Sequence, residues 1–340
     1  MPSASFLLPV RDLASTLDPA LASLAVQTHA DHEVVVVDDG STDGSGQIAE
    51  AWARRDPRFR VLHLPPTGLA GALNAGLAAC RAGWVARMDG DDLAAPSRLT
   101  RQLPLLLADP TLAVVDGQVH FFRDEGEVPE GMRRYEAWIN GVITPEDFDR
   151  ALLIDSPVVH PCATLRREAV LAVGGYRDGD FPEDYDLWLR LHAAGWRLRK
   201  VPEVLVSMRD RPARLTRTDT RYRQEGFRRV RREWLAATVL SGPRRVALWG
   251  GGKEGRPWLR WLLASGHLVP AVVDVAPRRV GGLKRGAVPI VPPEALAGLD
   301  AELLLVAVGA RGALPLIREQ LRALRPDWRE GRDWWALRGP

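Results

Sequence analysis

The chain has 340 residues, enough for two domains with separate cores. A composition of 46% hydrophobic and 26% charged residues is that of a soluble globular protein, and a net charge of +3 argues against a dedicated nucleic-acid binder. The two cysteines, Cys80 and Cys162, exclude a disulfide framework and a cysteine-built zinc site.

In chain order, residues 5–10 read as a first strand and 13–27 as an amphipathic helix. The β-branched run 33–37 ends in Asp38-Asp39 and reads as a buried strand. Ser41 and Thr42 are suited to cap a helix over 45–55, followed by a strand at 60–64, a glycine turn at 68–71, a helix at 72–82 and a strand at 84–88. A helix at 101–108 and one or two strands over 112–122 continue the pattern, and 123–156 reads as an irregular, polar acceptor region. Residues 183–195 form a helix stopped at Gly195, with strand character over 198–208. Strands alternating with helices at this spacing imply a doubly wound, mostly parallel sheet. After Ser241-Gly242-Pro243 a second α/β rhythm begins, so the domains are expected at 1–240 and 241–340, with 209–240 an arginine-rich helical linker.

The N-terminus lacks the basic leader and long apolar core of a signal peptide, and no run reaches the ~20 apolar residues that span a bilayer. A reducing cytoplasm is the expected setting. The arginines of 209–233 have two readings: attraction to an anionic lipid surface, which would place the protein peripherally at the inner face of a membrane, or a solvated interdomain helix. The second is favoured, because a charge run usually marks a solvated face.

Three acidic clusters stand at element ends: Asp38-Asp39, Asp89 with Asp91 and Asp92, and Glu183-Asp184. Each alone could be a capping turn, a solvated acidic turn or a complement to a helix dipole. Together, at the carboxyl ends of strands where open α/β sheets bind ligands, they suggest a metal ion and a phosphorylated ligand.

Six segments occur in order: Pro9-Val10-Arg11-Asp12, VVVVDDGSTD at 34–43, LNAG at 73–76, ARMDGDD at 86–92, GGYRD at 174–178 and EDYDLWLRL at 183–191. In this, roughly residues 4–210 resemble the family-2 glycosyltransferases, inverting enzymes of the GT-A fold. The resemblance implies a nucleotide-sugar donor, UDP- or dTDP-linked, and a saccharide or lipid-linked acceptor. It assigns Asp91 and Asp89 to a Mg2+ or Mn2+ ion, with Asp89 also near the ribose. Asp39 is implied against the nucleobase, and Pro9 and Asp12 in the same pocket. Asp184 is implied as general base, with Glu183 beside it, and Asp92 as a hydrogen-bonding support. Where members carry a basic residue near LNAG, this chain has Ala70 and Ala72; Arg87 or Arg98 is the candidate replacement. The QxxRW signature of processive members is missing, which implies single-sugar transfer. His160 lies where the family has a position near the acceptor, but a structural hydrogen bond is the favoured reading. Rival readings are a nucleotidyltransferase, which would need a glycine-rich basic phosphate loop absent from the N-terminal part, and a nucleotide-sugar-binding scaffold without turnover.

In the second domain Gly250, Gly252 and Gly255 fit GxGxxG between a strand and a helix, and Asp274 ends the next strand. This is the context of a dinucleotide site with NAD as ligand, although a glycine-rich turn also serves close packing alone. A structural or partner-docking role is favoured there, since no catalytic set accompanies the glycines.

Overall fold

Three apolar runs in the first 90 residues are buried along almost their whole length, as strands covered on both faces must be. They are β1 (Ala4–Val10), β2 (His32–Asp39) and, beyond β3 (Phe59–Leu64), β4 (Trp84–Arg87). The computed structural model in which they are seen describes residues 1–211, 214–284 and 287–338. Helices α1 (Ala14–Ala25), α2 (Ser45–Arg55) and α3 (Gly68–Ala79) connect the four strands, which are parallel to their neighbours. The chain continues through β5 (Leu93–Ala94), α4 (Arg98–Ala108), β6 (Leu112–Phe122), α5 (Glu130–Asn140), α6 (Pro145–Ala151), β7 (Thr164–Arg166), α7 (Arg167–Ala172), α8 (Glu183–Ala193) and β8 (Arg197–Arg209). Among the described residues the sheet has eight strands in the order β3-β2-β1-β4-β7-β6-β8-β5. Strand β7 runs antiparallel to β4 and β6, β6 and β8 are parallel, and β5 is antiparallel to β8.

After β8 come α9 (Leu215–Thr218), a single 3-10 turn at Thr220–Tyr222 and α10 (Gln224–Ala237). A second sheet follows, built from β9 (Val246–Trp249), β10 (Val272–Val273), β11 (Leu283–Lys284), β12 (Val288–Val291), β13 (Leu303–Val306) and β14 (Trp334–Ala336). Helices α11 (Gly255–Ala264) and α12 (Ala313–Leu324) belong to it. Its order among the described residues is β11-β12-β10-β9-β13-β14, parallel apart from β11. This is a smaller, Rossmann-like arrangement.

The chain divides into two compact units, 1–145 with 158–230 and 146–157 with 231–340. The division therefore falls inside α10 instead of at residue 240, and a short segment from the expected acceptor region belongs to the second unit. That region is not irregular: Met132, Tyr135, Trp138 and Ile139 recur at helical spacing on α5 and pack on the core of the first unit. The stretch 209–240 is likewise not one helix. Several of its arginines have individual internal partners: Arg209 with Asp124, Arg217 with Asp210, Arg221 with Asp219, while Arg231 donates to the carbonyls of Ile154 and Leu337. No helix among the described residues is long and apolar enough to cross a membrane.

Close approach of α3 to the sheet fixes the floor of the site. A Cβ on Gly76 would lie 2.1 Å from Leu7 Cδ1 and 2.7 Å from Val37 Cγ2, so only glycine lets this helix sit on β1 and β2. On the far half of the sheet, Lys200 and Asp116 form a fully buried ion pair at 3.1 Å across β8 and β6. Lys200 also donates to the Ile139 carbonyl, and Asp116 accepts the N–H groups of Gly117 and Val159. Removing one partner of such a pair leaves an uncompensated buried charge. Lys200→Met is thus expected to cost about 3 kcal/mol or more in urea unfolding, with the Lys200→Met/Asp116→Asn double variant recovering much of that loss.

Candidate functional site

Strands β1, β2 and β4 are parallel, so the residues that follow them emerge on one edge of the sheet, beside the point where the strand order reverses. This topology brings Asp12, Asp39 and the Asp89–Asp92 turn to a common edge although they are far apart in sequence. The Asp12 loop is held by the 41–45 turn: Thr42 N–H donates to Asp12 Oδ1 at 2.8 Å, and Asp12 N–H donates to Ser41 Oγ at 3.1 Å. Asp12 has a φ of 52°, a left-handed conformation that aspartate tolerates better than most residues. Pro9 sits within β1 opposite Val37. The Asp39 carboxylate accepts Thr67 N–H at 2.6 Å, Thr67 Oγ1 at 2.8 Å and Gly68 N–H at 3.0 Å, with Arg11 Nη1 3.6 Å away. It thereby caps α3, which is why that helix begins at Gly68 and not at Ala72.

The turn after β4 packs on α1, with Thr16 Oγ1 donating to the Gly90 carbonyl at 3.2 Å. Carboxylate oxygens of Asp89, Asp91 and Asp92 lie within 4.8 Å of one another. Asp89 is paired with the buried Arg87, and Asp91 with Arg211 at 2.8 Å. Asp92 is buried, and its Oδ1 accepts Arg209 N–H at 2.8 Å, tying the turn to the end of β8. Burial, and then repulsion from neighbouring carboxylates, raises Asp91 and holds Asp92 well above the usual carboxylate range. A cluster of hard oxygen donors under this repulsion fits a divalent metal ion.

The third cluster opens α8. Glu183 is buried, and the Tyr222 hydroxyl donates to its two oxygens at 2.9 and 3.1 Å, with Arg221 Nη1 3.9 Å away. Burial raises the Glu183 carboxyl. Asp184 is only half-buried by accessible surface, yet its dense surroundings and the adjacent Glu183 push it up to about 8. The Tyr185 N–H, which donates to Asp184 Oδ1 at 2.7 Å, and the charge of Arg87 act in the opposite direction. Next to this pair, His160 Nε2 and the Tyr176 hydroxyl are 3.0 Å apart. Burial, then Arg87, holds His160 well below its usual range, so the ring is neutral and structural in its contacts.

The GGYRD and EDYDLWLRL segments have a clear local role. Asn74 of LNAG donates to the Tyr176 carbonyl at 2.7 Å and accepts Tyr176 N–H at 2.9 Å, which locks the loop before α8 onto α3. Asp186 pairs with Arg177 at 3.0 Å and with Arg190 at 2.8 Å, anchoring the same loop to α8. Arg98 cannot supply a ligand-facing charge. It is fully buried and spends its guanidinium on the carbonyls of Arg87, Pro161 and Ala163 and on Gln102. Arg211, Arg221 and Tyr222 were not singled out from the sequence; they lie in the arginine-rich stretch, where composition hides which side chain meets which carboxylate.

In the second unit, Gly250 and Gly255 touch each other: a Cβ on Gly255 would lie 1.7 Å from the Gly250 carbonyl oxygen. Asp274 accepts Gly251 N–H at 2.9 Å, Ala276 N–H at 2.9 Å and Arg279 Nη1 at 2.9 Å. Burial would raise this carboxyl, but those donors outweigh it and hold it low. Gly252 faces the Arg279 guanidinium, with a Cβ there 3.7 Å from Nη1.

An open sheet with carboxylates gathered at the ends of its parallel strands, and a second acidic pair on a helix beyond them, is the GT-A arrangement of the glycosyltransferases. The sequence pattern of the family described as Glycosyl transferase family 2 matches residues 5–174, and the chain belongs to that family. It is 31% identical over 200 residues to the amylovoran biosynthesis glycosyltransferase AmsE of Erwinia amylovora, covering 58% of this chain and 72% of AmsE. It is 28% identical over 215 residues to the putative glycosyltransferase EpsE of Bacillus subtilis, covering 62% and 73%. Among solved structures, residues 1–349 of S. aureus TarS in complex with UDP-GlcNAc share the fold, with a TM-score of 0.55 and 19% identity over 69% of this chain and 66% of that one.

The raised Asp184 has a consequence for stability. A carboxyl whose folded pKa lies above its unfolded value, about 4, costs stability that grows as pH rises between the two values. With the folded value near 8, that cost accumulates from pH ~4 and is complete above about 8. Asp184→Asn is accordingly expected to raise the melting temperature, by a margin that widens from pH 5 to pH 8 in thermal scans; a constant margin would contradict this assignment.

Proposed function

We propose that this glycosyltransferase moves a single sugar from a UDP- or dTDP-linked donor to a hydroxyl of a cell-surface glycan or lipid-linked saccharide, inverting the anomeric centre with the help of Mg2+ or Mn2+. The observation that carries the reading is the pairing, within one unit, of an oxygen-donor cluster at Asp89–Asp92 with a raised, half-exposed Asp184. The first suits a diphosphate held through a cation, and the second suits a base. The relationship to AmsE, a protein of amylovoran biosynthesis, supports a polysaccharide-building role.

In this reading Pro9, Asp12 and Asp39 line the nucleotide pocket. Asp39 also braces α3, so its contact with a base would be made from a carboxylate that is already oriented. Asp91 and Asp89 would hold the metal, and Asp92 keeps the turn in place through Arg209. The ion, when bound, neutralises charge that develops on the diphosphate leaving group. Asp184 takes the proton from the acceptor hydroxyl as the oxygen attacks the anomeric carbon, and Asp184 must first be ionised to do so. Glu183, held by Tyr222, keeps a second carboxyl beside Asp184 and so sustains its basicity. For the second unit we propose a structural role, supported by the Gly250–Gly255 contact and by the donors that already occupy Asp274.

Donor binding and slow hydrolysis across a panel of nucleotide-sugars, with and without Mn2+ or Mg2+, test the reading. Asp91→Asn is expected to lose metal-dependent binding. Asp184→Asn is expected to keep binding and lose turnover by roughly 10²–10⁴-fold. Wild-type kcat should rise with pH through about 8, and that rise should vanish in Asp184→Asn. Failure of every nucleotide-sugar to bind would sink the proposal.

A further inference from the structure

On β3, His63 stands in register with Asp38 of the neighbouring β2. Each of its ring nitrogens meets a carboxylate: Nδ1 lies 3.0 Å from Asp38 Oδ2, and Nε2 lies 3.0 Å from Glu50 Oε1 on α2. A neutral imidazole carries one N–H, so only the imidazolium donates to both oxygens. Helix α2 is fitted closely to the pair. A Cβ on Gly46 would come 2.7 Å from Asp38 Oδ2 and 3.4 Å from His63 Cε1, so glycine lets the helix reach this seat.

Asp38 and Glu50 flank the 41–45 turn in the chain, one before it and one in the helix that follows. Asp38 Oδ1 accepts Ser41 N–H at 3.0 Å. The turn itself receives the backbone that leads into α1. Asp12 N–H donates to Ser41 Oγ at 3.1 Å, Leu13 N–H to Ser45 Oγ at 2.8 Å and Ala14 N–H to Asp43 Oδ2 at 2.8 Å. The start of a helix leaves such donors without partners of its own. The left-handed Asp12 is thus held by a turn whose two flanks meet at His63.

We propose that His63 is a positioning residue for the nucleotide pocket: its doubly donating ring closes a bridge from β2 to α2 that fixes the 41–45 turn and, through it, Asp12. This rests on the reading of Asp12 as part of that pocket. The groups facing the ring are Asp38 from β2 and Glu50 from α2, and Arg54 of α2 lines the same cleft. Glu50 first, and then Asp38, hold His63 above its usual range, against the opposing effect of burial. A group with a raised folded value contributes fully at low pH and loses that contribution as pH rises through the raised value. Below it the bridge is closed. Above it the neutral ring keeps one donor, so either Asp38 or Glu50 faces a lone pair and the bridge opens at that end. About half of the His63 side chain is exposed, so its proton exchanges directly with solvent.

NMR of the full chain follows the ring and the turn together, with the His63 ring signal identified by its loss in His63→Gln. Glu50→Gln is expected to lower the His63 midpoint by about one unit. The amide signals of Ser41 and Asp12 should titrate with the ring's midpoint in wild type and move with it in Glu50→Gln. His63→Arg keeps donors for both carboxylates throughout, so there the same amide signals should stay flat between about pH 6 and 9. Affinity for UDP-glucose or dTDP-glucose with Mg2+ should fall roughly fivefold over that range in wild type, beyond any fall in His63→Arg. In turnover the same loss should appear in KM, with kcat unmoved. His63→Gln should bind weakly at every pH in the range. An Asp12 amide that ignores the His63 midpoint, or a wild-type affinity profile matching that of His63→Arg, overturns the proposal. The NMR measurement needs no donor: a wild-type protein that binds no nucleotide-sugar sinks the functional reading, while a turn that follows the ring still establishes His63 as the group that positions Asp12.

Discussion

Like charges held together away from water are the constraint around which the first unit is arranged. Asp89, Asp91 and Asp92 crowd one turn, and Glu183 and Asp184 crowd the start of one helix. Such groups repel each other and lose hydration, and both effects favour the protonated form. The protein meets this cost with a small set of fixed donors: Arg87 on Asp89, Arg211 on Asp91, the Arg209 N–H on Asp92, and the Tyr222 hydroxyl on Glu183. The hydrogen bonds that lower Asp184 come from backbone N–H groups alone, that of Tyr185 at 2.7 Å among them, and it is the group pushed to about 8. A scaffold that tolerates this carries a stability cost at that position.

Rigid packing makes the arrangement possible. Gly76 lets α3 lie directly on β1 and β2, and Asp39 clamps the first turn of that helix, so the strand end and the helix start form one piece. Asn74 then carries the order across to the Tyr176 loop and, through Asp186, to α8. Asp184 is thereby tied to the sheet through a chain of short contacts. On the other side Asp116 and Lys200 lock β6 to β8, and the end of β8 supplies the backbone donor for Asp92. Conformational freedom at either end would blur the relative placement of the two carboxylate sets.

The second unit repeats the α/β logic. Its glycine-rich turn joins a strand to a helix and is followed by an acid at the end of the next strand, as in a dinucleotide fingerprint. The glycines are required by contact between Gly250 and Gly255, and the acid is already satisfied by Gly251, Ala276 and Arg279. Spacing alone does not separate packing glycines from ligand-facing ones, because both need a backbone without a Cβ at the same turn.

Much of the molecule was legible from the chain alone. The alternation of β-branched runs with amphipathic stretches determined an α/β sheet, because burial on two faces demands unbroken apolar strands, and the order of six short segments pointed to the family. The acidic residues were visible because clustered carboxylates have no ordinary reason to persist. The segment 123–156 reads as irregular in sequence because its helices bury a narrow apolar face within a polar composition, and the start of α3 is hidden there because its cap comes from Asp39, 29 residues earlier than Gly68. Only tertiary structure decided that Arg87 pairs with Asp89 while Arg98 is spent on backbone carbonyls, and that several arginines of 209–233 have internal partners. It also decided that Tyr222 reaches back to Glu183. Those outcomes depend on which side chains meet after folding, and local sequence carries no record of a partner that arrives from another strand or turn.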